Sequence, residues 1–197
     1  AYIPMLQAIV FTVKFLGFHP RLALESADSG AARIQRILKL IKQSRYAIHD
    51  LSRLRAHRHG EHFRLNMPFE LGLDIGCRVF GRSQFKSKKC LVLEKDRRSI
   101  QAALSDLSNS DVCAHDSKPE KAVRHVRNWL VQEARARGES GTMIWYAFND
   151  FMWDLDKRLR HRGFRSVDID TLPLPEFLGH MTVWIGRNIR QRRTQHR

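Results

Sequence analysis

Apolar residues recur along the chain with two periods. Leu6, Ile9, Val10 and Val13 follow the i, i+3, i+4, i+7 spacing and predict a helix over 2–16, stopped by Gly17. The short apolar run 20–25 predicts a buried strand. Ile34, Ile37, Leu38 and Ile41 form one face of a second helix, with Arg33, Arg36 and Lys39 opposite. Residues 45–50 read as a strand ending on polar side chains. A basic loop then runs to Leu65, and Asn66 stands where it could cap a helix that tolerates Pro68 in its first turn. Phe69, Leu71, Leu73, Ile75, Val79 and Phe80 predict burial of that helix on most sides. The uninterrupted run 89–94 suits the middle of a parallel sheet.

Ser99 is placed to cap a helix carrying Ile100, Ala103, Leu104 and Leu107, and 111–115 predicts a last short strand. Ser117-Lys118-Pro119-Glu120 has capping-box form ahead of a helix with Val123, Val126 and Leu130 inward. A linker with two glycines covers 135–141. Beyond it the pattern is helical only, with Ile144, Phe148, Phe151, Met152, Leu155 and Leu159 in one helix and Phe177, Met181 and Ile185 in another. Strands alternating with helices predict an α/β fold, an open, mostly parallel sheet with helices on both faces and a C-terminal helical extension. Ligands in such sheets bind outside the carboxyl ends of the strands, which singles out 25–28, 50–52 and the turn into Asn66.

The chain has 197 residues, enough for one sizeable core, and a formal net charge of +15. That charge raises nucleic acid as a partner, through the basic loop 53–64 and the tail 187–197, whose five arginines stand without an acid. No single-strand-binding pattern of interleaved aromatic and basic residues stands out. Cys77, Cys90 and Cys113 form no CxxC pair and read as reduced core residues, and the apolar start 5–18 is too short to span a bilayer. The expectation is a cytoplasmic protein without a membrane partner. His57, His59, Glu61 and His62 can ligate metal, but they lack a helical i, i+4 pair and lie in a loop that repels cations, so no metal is expected. No P-loop, GxGxxG or GxSxG occurs, and Gly72-x-x-x-Gly76 suggests close packing of its helix on the sheet.

Glu70 lies near the start of its helix, where unpaired amides and the helix dipole favour an ionised carboxylate. Asp74 and Arg78 follow at one-turn intervals, so a salt-bridge ladder is the simplest reading of the trio. A largely apolar helix has little reason to hold a carboxylate between Phe69 and Leu71 unless it faces a cleft.

Three blocks carry a resemblance: Leu24-Glu25-Ser26-Ala27-Asp28-Ser29-Gly30 with Arg33; Ile48-His49-Asp50-Leu51-Ser52; and Arg64-Leu65-Asn66-Met67-Pro68-Phe69-Glu70-Leu71-Gly72-Leu73. With Ser105-Asp106-Leu107, Asp111 and His115, they resemble a bacterial TIR-like family related to nucleoside 2-deoxyribosyltransferases. The resemblance covers about 2–135. It implies a flavodoxin-like sheet and a pocket for an N-glycosidic bond, with Glu70 as the catalytic carboxylate at the anomeric carbon. It implies substrate-holding roles for Asp28, Arg33, Asp50, Ser52, Arg64 and Asn66, and accessory ones for Asp106, Asp111 and His115. It also implies a strand ahead of the first helix, at the centre of the sheet, whereas this chain begins within that helix.

The organisation expected is a nucleotide-binding α/β domain over 1–137, a helical extension over 138–190 packed on it, and a basic tail over 191–197. The expected activity is N-glycosidase or glycosyl transfer on NAD or a related nucleotide, as in bacterial defence effectors, with the nucleotide as substrate or ligand and no separate cofactor. The alternatives are a non-catalytic module that senses a nucleotide and self-associates as a homo-oligomer, or a basic nucleic-acid-binding protein.

Overall fold

Three strands lie in parallel in the order β1 (Tyr46–Asp50), β2 (Lys89–Glu94), β3 (Val112–Ala114). The computed structural model describes residues 2–25, 32–53, 65–96 and 112–195, with side chains described as far as residue 188. Tyr46 pairs with Lys89 and Asp50 with Leu93, while Val92 pairs with Val112, so the carboxyl ends of all three strands share one edge. Among the described residues the helices are α1 (Ile3–Phe15), α2 (Arg33–Gln43), α3 (Asn66–Phe80), α4 (Pro119–Ala134), α5 (Gly141–His161), α6 (Ser166–Asp170) and α7 (Leu174–Gln195).

Strand side chains alternate between faces, and the two faces are covered unequally. Ile48, Leu91, Leu93 and Cys113 point to one side, where α4 lies on the sheet through Val123, Val126 and Leu130. α1 packs against α4, and α5 and α7 pack against α1 in turn. At the centre of this layer the Phe11 ring meets Phe15 and Phe148 at 5.5 Å, Phe151 at 5.6 Å and Trp184 at 5.9 Å. The Trp184 indole donates to Asp154 at 2.7 Å, which satisfies its N–H inside the cluster. The other face carries α2 and α3 over a much smaller nucleus, Leu51, Leu71 and Val92, flanked by Met67, Ile75, Cys90 and Val112.

Local signals explain the helix ends. Gly17 (φ +86°) closes α1 in a Schellman motif, donating to Lys14 O while Phe18 N reaches Val13 O, a geometry that favours glycine. Ser140 caps α5 by accepting from Met143 N at 3.2 Å.

Several sequence expectations are corrected. Residues 20–25 form no strand; Ala23–Glu25 is a single 3-10 turn with Leu24 exposed, because an apolar run alone does not supply the partner a ladder needs. Leu65 occupies the cap position of α3 and Asn66 is its first helical residue, with no side-chain cap bond. The capping box at Ser117 does not form, since Asp116 and Ser117 both adopt left-handed φ and Lys118 takes the cap position. α3 is not buried on most sides: only Leu71 and Asp74 are buried along it, and Phe80 is 89% exposed. Gly72 and Gly76 have open space where a side chain would project, so they mark no close approach to the sheet. The helix expected from Ser99 lies outside the described residues.

Candidate functional site

β1 ends on two buried polar residues that alternation sends to opposite faces of the sheet, His49 towards α3 and Asp50 towards α1 and α4. Two polar clusters result, one at the carboxyl edge and one beneath α2 and α3 that reaches towards the opposite edge.

The first centres on Asp50. Its Oδ1 accepts from the Ser52 amide at 2.9 Å, an Asx-type turn that continues the chain off the strand. His115, just past β3, lies with Nε2 3.4 Å from the same oxygen. Its Nδ1 accepts from the Ser117 amide at 3.0 Å, which assigns the proton of the neutral ring to Nε2, directed at Asp50. The left-handed conformations of Asp116 and Ser117 bring that amide back onto the ring. Burial alone would raise the Asp50 carboxyl, but the bonds from His115 and Ser52 outweigh it and hold the pKa below the usual carboxylate range. Tyr2 closes the cluster: burial first, then the neighbouring Asp50 charge, pushes its phenol far above its ordinary value. The Arg53 guanidinium lies 5.2 Å from the Tyr2 ring centre.

The second cluster lies between β1, α2 and α3. Asp74 receives His49 Nε2 at 3.3 Å and the Lys88 ammonium at 2.9 Å, all three side chains being buried. Lys88 also donates to the carbonyls of Ile41 (2.7 Å) and Ser44 at the end of α2. Burial opposes ionisation of Asp74, and the His49 and Lys88 partners overcome it, so this carboxyl is lowered too. Asp74 therefore serves β1 and β2 and takes no part in a ladder with Arg78.

Glu70, one turn before Asp74, is half-buried. Burial raises its carboxyl above the ordinary value, and the charges of Arg33 and His49 pull it only part of the way back. Glu70 and Arg33 thus share the α2–α3 side, while Asp50, Ser52 and His115 meet on the α1–α4 side of β1. Asn66 is exposed at the start of α3. Asp28, Arg64, Asp106 and Asp111 lie outside the described residues. Glu94, at the carboxyl end of β2, is 1% exposed.

Sequence reasoning missed Tyr2, His49, Arg53 and Lys88. His49 lies inside the block around Asp50 and Arg53 adjoins it, so both could have been found from it. Tyr2 and Lys88 carry no local signal, because only the fold brings them to their partners. Among the described residues no three His, Cys, Asp or Glu side chains gather closely enough to hold a metal ion, and no helix is long and apolar enough to cross a membrane.

Comparison of the chain with protein-family models, with curated proteins and with solved structures finds no match.

Proposed function

We propose that the domain binds a nucleotide at the carboxyl edge of its sheet and cleaves or transfers at the N-glycosidic bond, with Glu70 as the reacting carboxylate. The observation that carries this reading is the state of Glu70: a half-buried acid at the sheet-edge end of α3, raised by desolvation, with the cationic Arg33 in its electrostatic field. A partly desolvated carboxylate is suited to an anomeric carbon that becomes positive as its bond to the base breaks. Arg33 supplies a counter-charge for phosphate.

With NAD as substrate, the C1′–N bond breaks heterolytically and its electron pair leaves with nicotinamide, neutralising the pyridinium. Glu70 offsets the positive charge developing on the ribose, water adds to C1′, and one proton passes to solvent. Ser52, its amide held by the buried Asp50, lies at the same edge to accept from or donate to a sugar hydroxyl, and Asp50 positions that turn.

The test is release of free base from NAD and from nucleosides, followed chromatographically with the purified chain. The expected outcome is turnover that drops about 100-fold or more in Glu70→Gln, the scale of losing a transition-state electrostatic partner. Turnover retained in that variant removes Glu70 from the chemistry. Absence of turnover on every substrate, with a nucleotide still raising the melting temperature, leaves the non-catalytic sensing module in its place.

A further inference from the structure

We infer that the opposite edge of the sheet, where the strands begin, is a binding surface for single-stranded nucleic acid. Two stretches of the chain, 29–49 and 75–93, contain no aspartate or glutamate and carry five lysines or arginines each. The fold brings the ends of both to one place. The carboxyl end of α2 and the entrances of β1 and β2 meet there, since Lys89 N donates to Arg45 O at 3.0 Å and Lys88 Nζ reaches Ile41 O and Ser44 O, and the carboxyl end of α3 joins them through Lys86, which donates to Val79 O.

The cations divide into two kinds. Lys88 is buried and spoken for by Asp74 and α2, and Lys86 donates to Val79 O at the end of α3; both offset the negative ends of helix dipoles. Lys42, Arg45 and Arg82 are exposed, and no acid among the described residues pairs with them. Lys89 shares an exposed, 3.3 Å contact with Glu133 that a phosphate can displace. Phe80, 89% exposed, stands between Val79, whose carbonyl holds Lys86, and Arg82, with Phe85 partly exposed further on and the Arg45 guanidinium 5.4 Å from the Tyr46 ring centre.

An aromatic ring largely offered to solvent next to the unpaired Arg82 guanidinium, on an edge that also carries Lys42, Arg45 and Lys89, combines a stacking face for a base with counter-charges for a backbone. From Arg78 to Lys89 the sequence interleaves Phe80 and Phe85 with Arg82 and Lys86, a pattern disguised there as the buried end of an apolar helix. A duplex offers no base face to Phe80, so the surface fits a single strand. The length of β1 separates it from the Glu70 edge, roughly 15 Å away.

The experiment is fluorescence anisotropy of a labelled twelve-residue oligothymidylate, between 50 and 200 mM salt, with far-UV circular dichroism to confirm folding. Four phosphate contacts predict a log–log salt slope near about −3. Combined Lys42→Gln, Arg45→Gln and Arg82→Gln is expected to weaken binding at least about tenfold and to flatten that slope. Phe80→Ser is expected to weaken it about tenfold with the slope unchanged, by loss of one stacked base. A control with Arg190, Arg192 and Arg193 changed to Gln is expected to bind within a factor of about two of the parent. Wild-type affinity in Phe80→Ser, loss of binding confined to the tail control, or binding to anionic lipid vesicles without binding to the oligonucleotide each overturns the proposal. Base release from NAD is read separately, so failure of either reading leaves the other standing.

Discussion

At the residue scale, the carboxylates of this protein divide by the sign of their perturbation. Asp50 and Asp74 are held below their ordinary range, so their stabilisation is complete above the unfolded value of about 3.9 and drains away as pH falls towards their folded values. Glu70 has the opposite sign. Its contribution is present below about 4.3 and is lost as pH rises through its folded pKa, so at neutral pH its ionised form costs stability. Glu70→Gln removes that cost. Its melting temperature relative to the parent is expected to be higher at pH 7 than at pH 3, and a difference that is flat or reversed across that range contradicts the perturbation. A group retained at a cost in stability is what a site demands. Glu70 could be singled out in the sequence because a carboxylate between Phe69 and Leu71 breaks the local pattern. The His115–Asp50 and Lys88–Asp74 contacts could not, since they join residues 65 and 14 positions apart through the sheet.

At the scale of elements, legibility follows how each element earns its shape. β2 lies at 89–94 as its apolar run predicts, because a central strand buried on both faces leaves a continuous apolar run, and β1 and β3, half-buried on either side of it, fall within a residue or so of expectation. The run 20–25 has the same look and no strand, since Leu24 faces solvent and pairing is decided by distant residues. α3 misleads in the other direction. Its apolar content exceeds what the small nucleus beneath it can bury, and the surplus at Phe69, Val79 and Phe80 lies outside. A polar tie adds to the small apolar nucleus in fastening α2 and α3: Lys88 joins the end of α2 and the middle of α3 just ahead of β2. Lys88→Met leaves Asp74 buried beside only a histidine and frees two helix-terminal carbonyls. The expected loss is about 3 kcal/mol or more in urea unfolding, the scale of breaking a buried pair from one side. A loss under about 1 kcal/mol indicates that water takes over the ammonium's bonds.

At the scale of the molecule, the two faces of the sheet differ in how firmly they are held. The α1–α4–α5–α7 side buries most of the apolar core, whereas α2 buries only Ile37 and α3 only Leu71 and Asp74. Local opening free energies track buried apolar contact. Amide exchange is therefore expected to be slowest in α1, α4 and α5, and at least about tenfold faster in α2 and α3, as read by mass spectrometry of peptides. Equal protection on both faces contradicts the asymmetry. That asymmetry is also where the two proposals fall, since Glu70, Arg33 and Phe80 all belong to the looser face.

The Phe11 cluster sets an order on events during synthesis. Phe11 leaves the ribosome before Phe148, Phe151 and Trp184, which enclose it and emerge more than 130 residues later. Between those two events the nascent chain carries α1 with its outer aromatic face bare, a surface to which a chaperone can bind. Closure waits for Trp184, so the α/β part reaches its native packing only after the helices that follow it have been made.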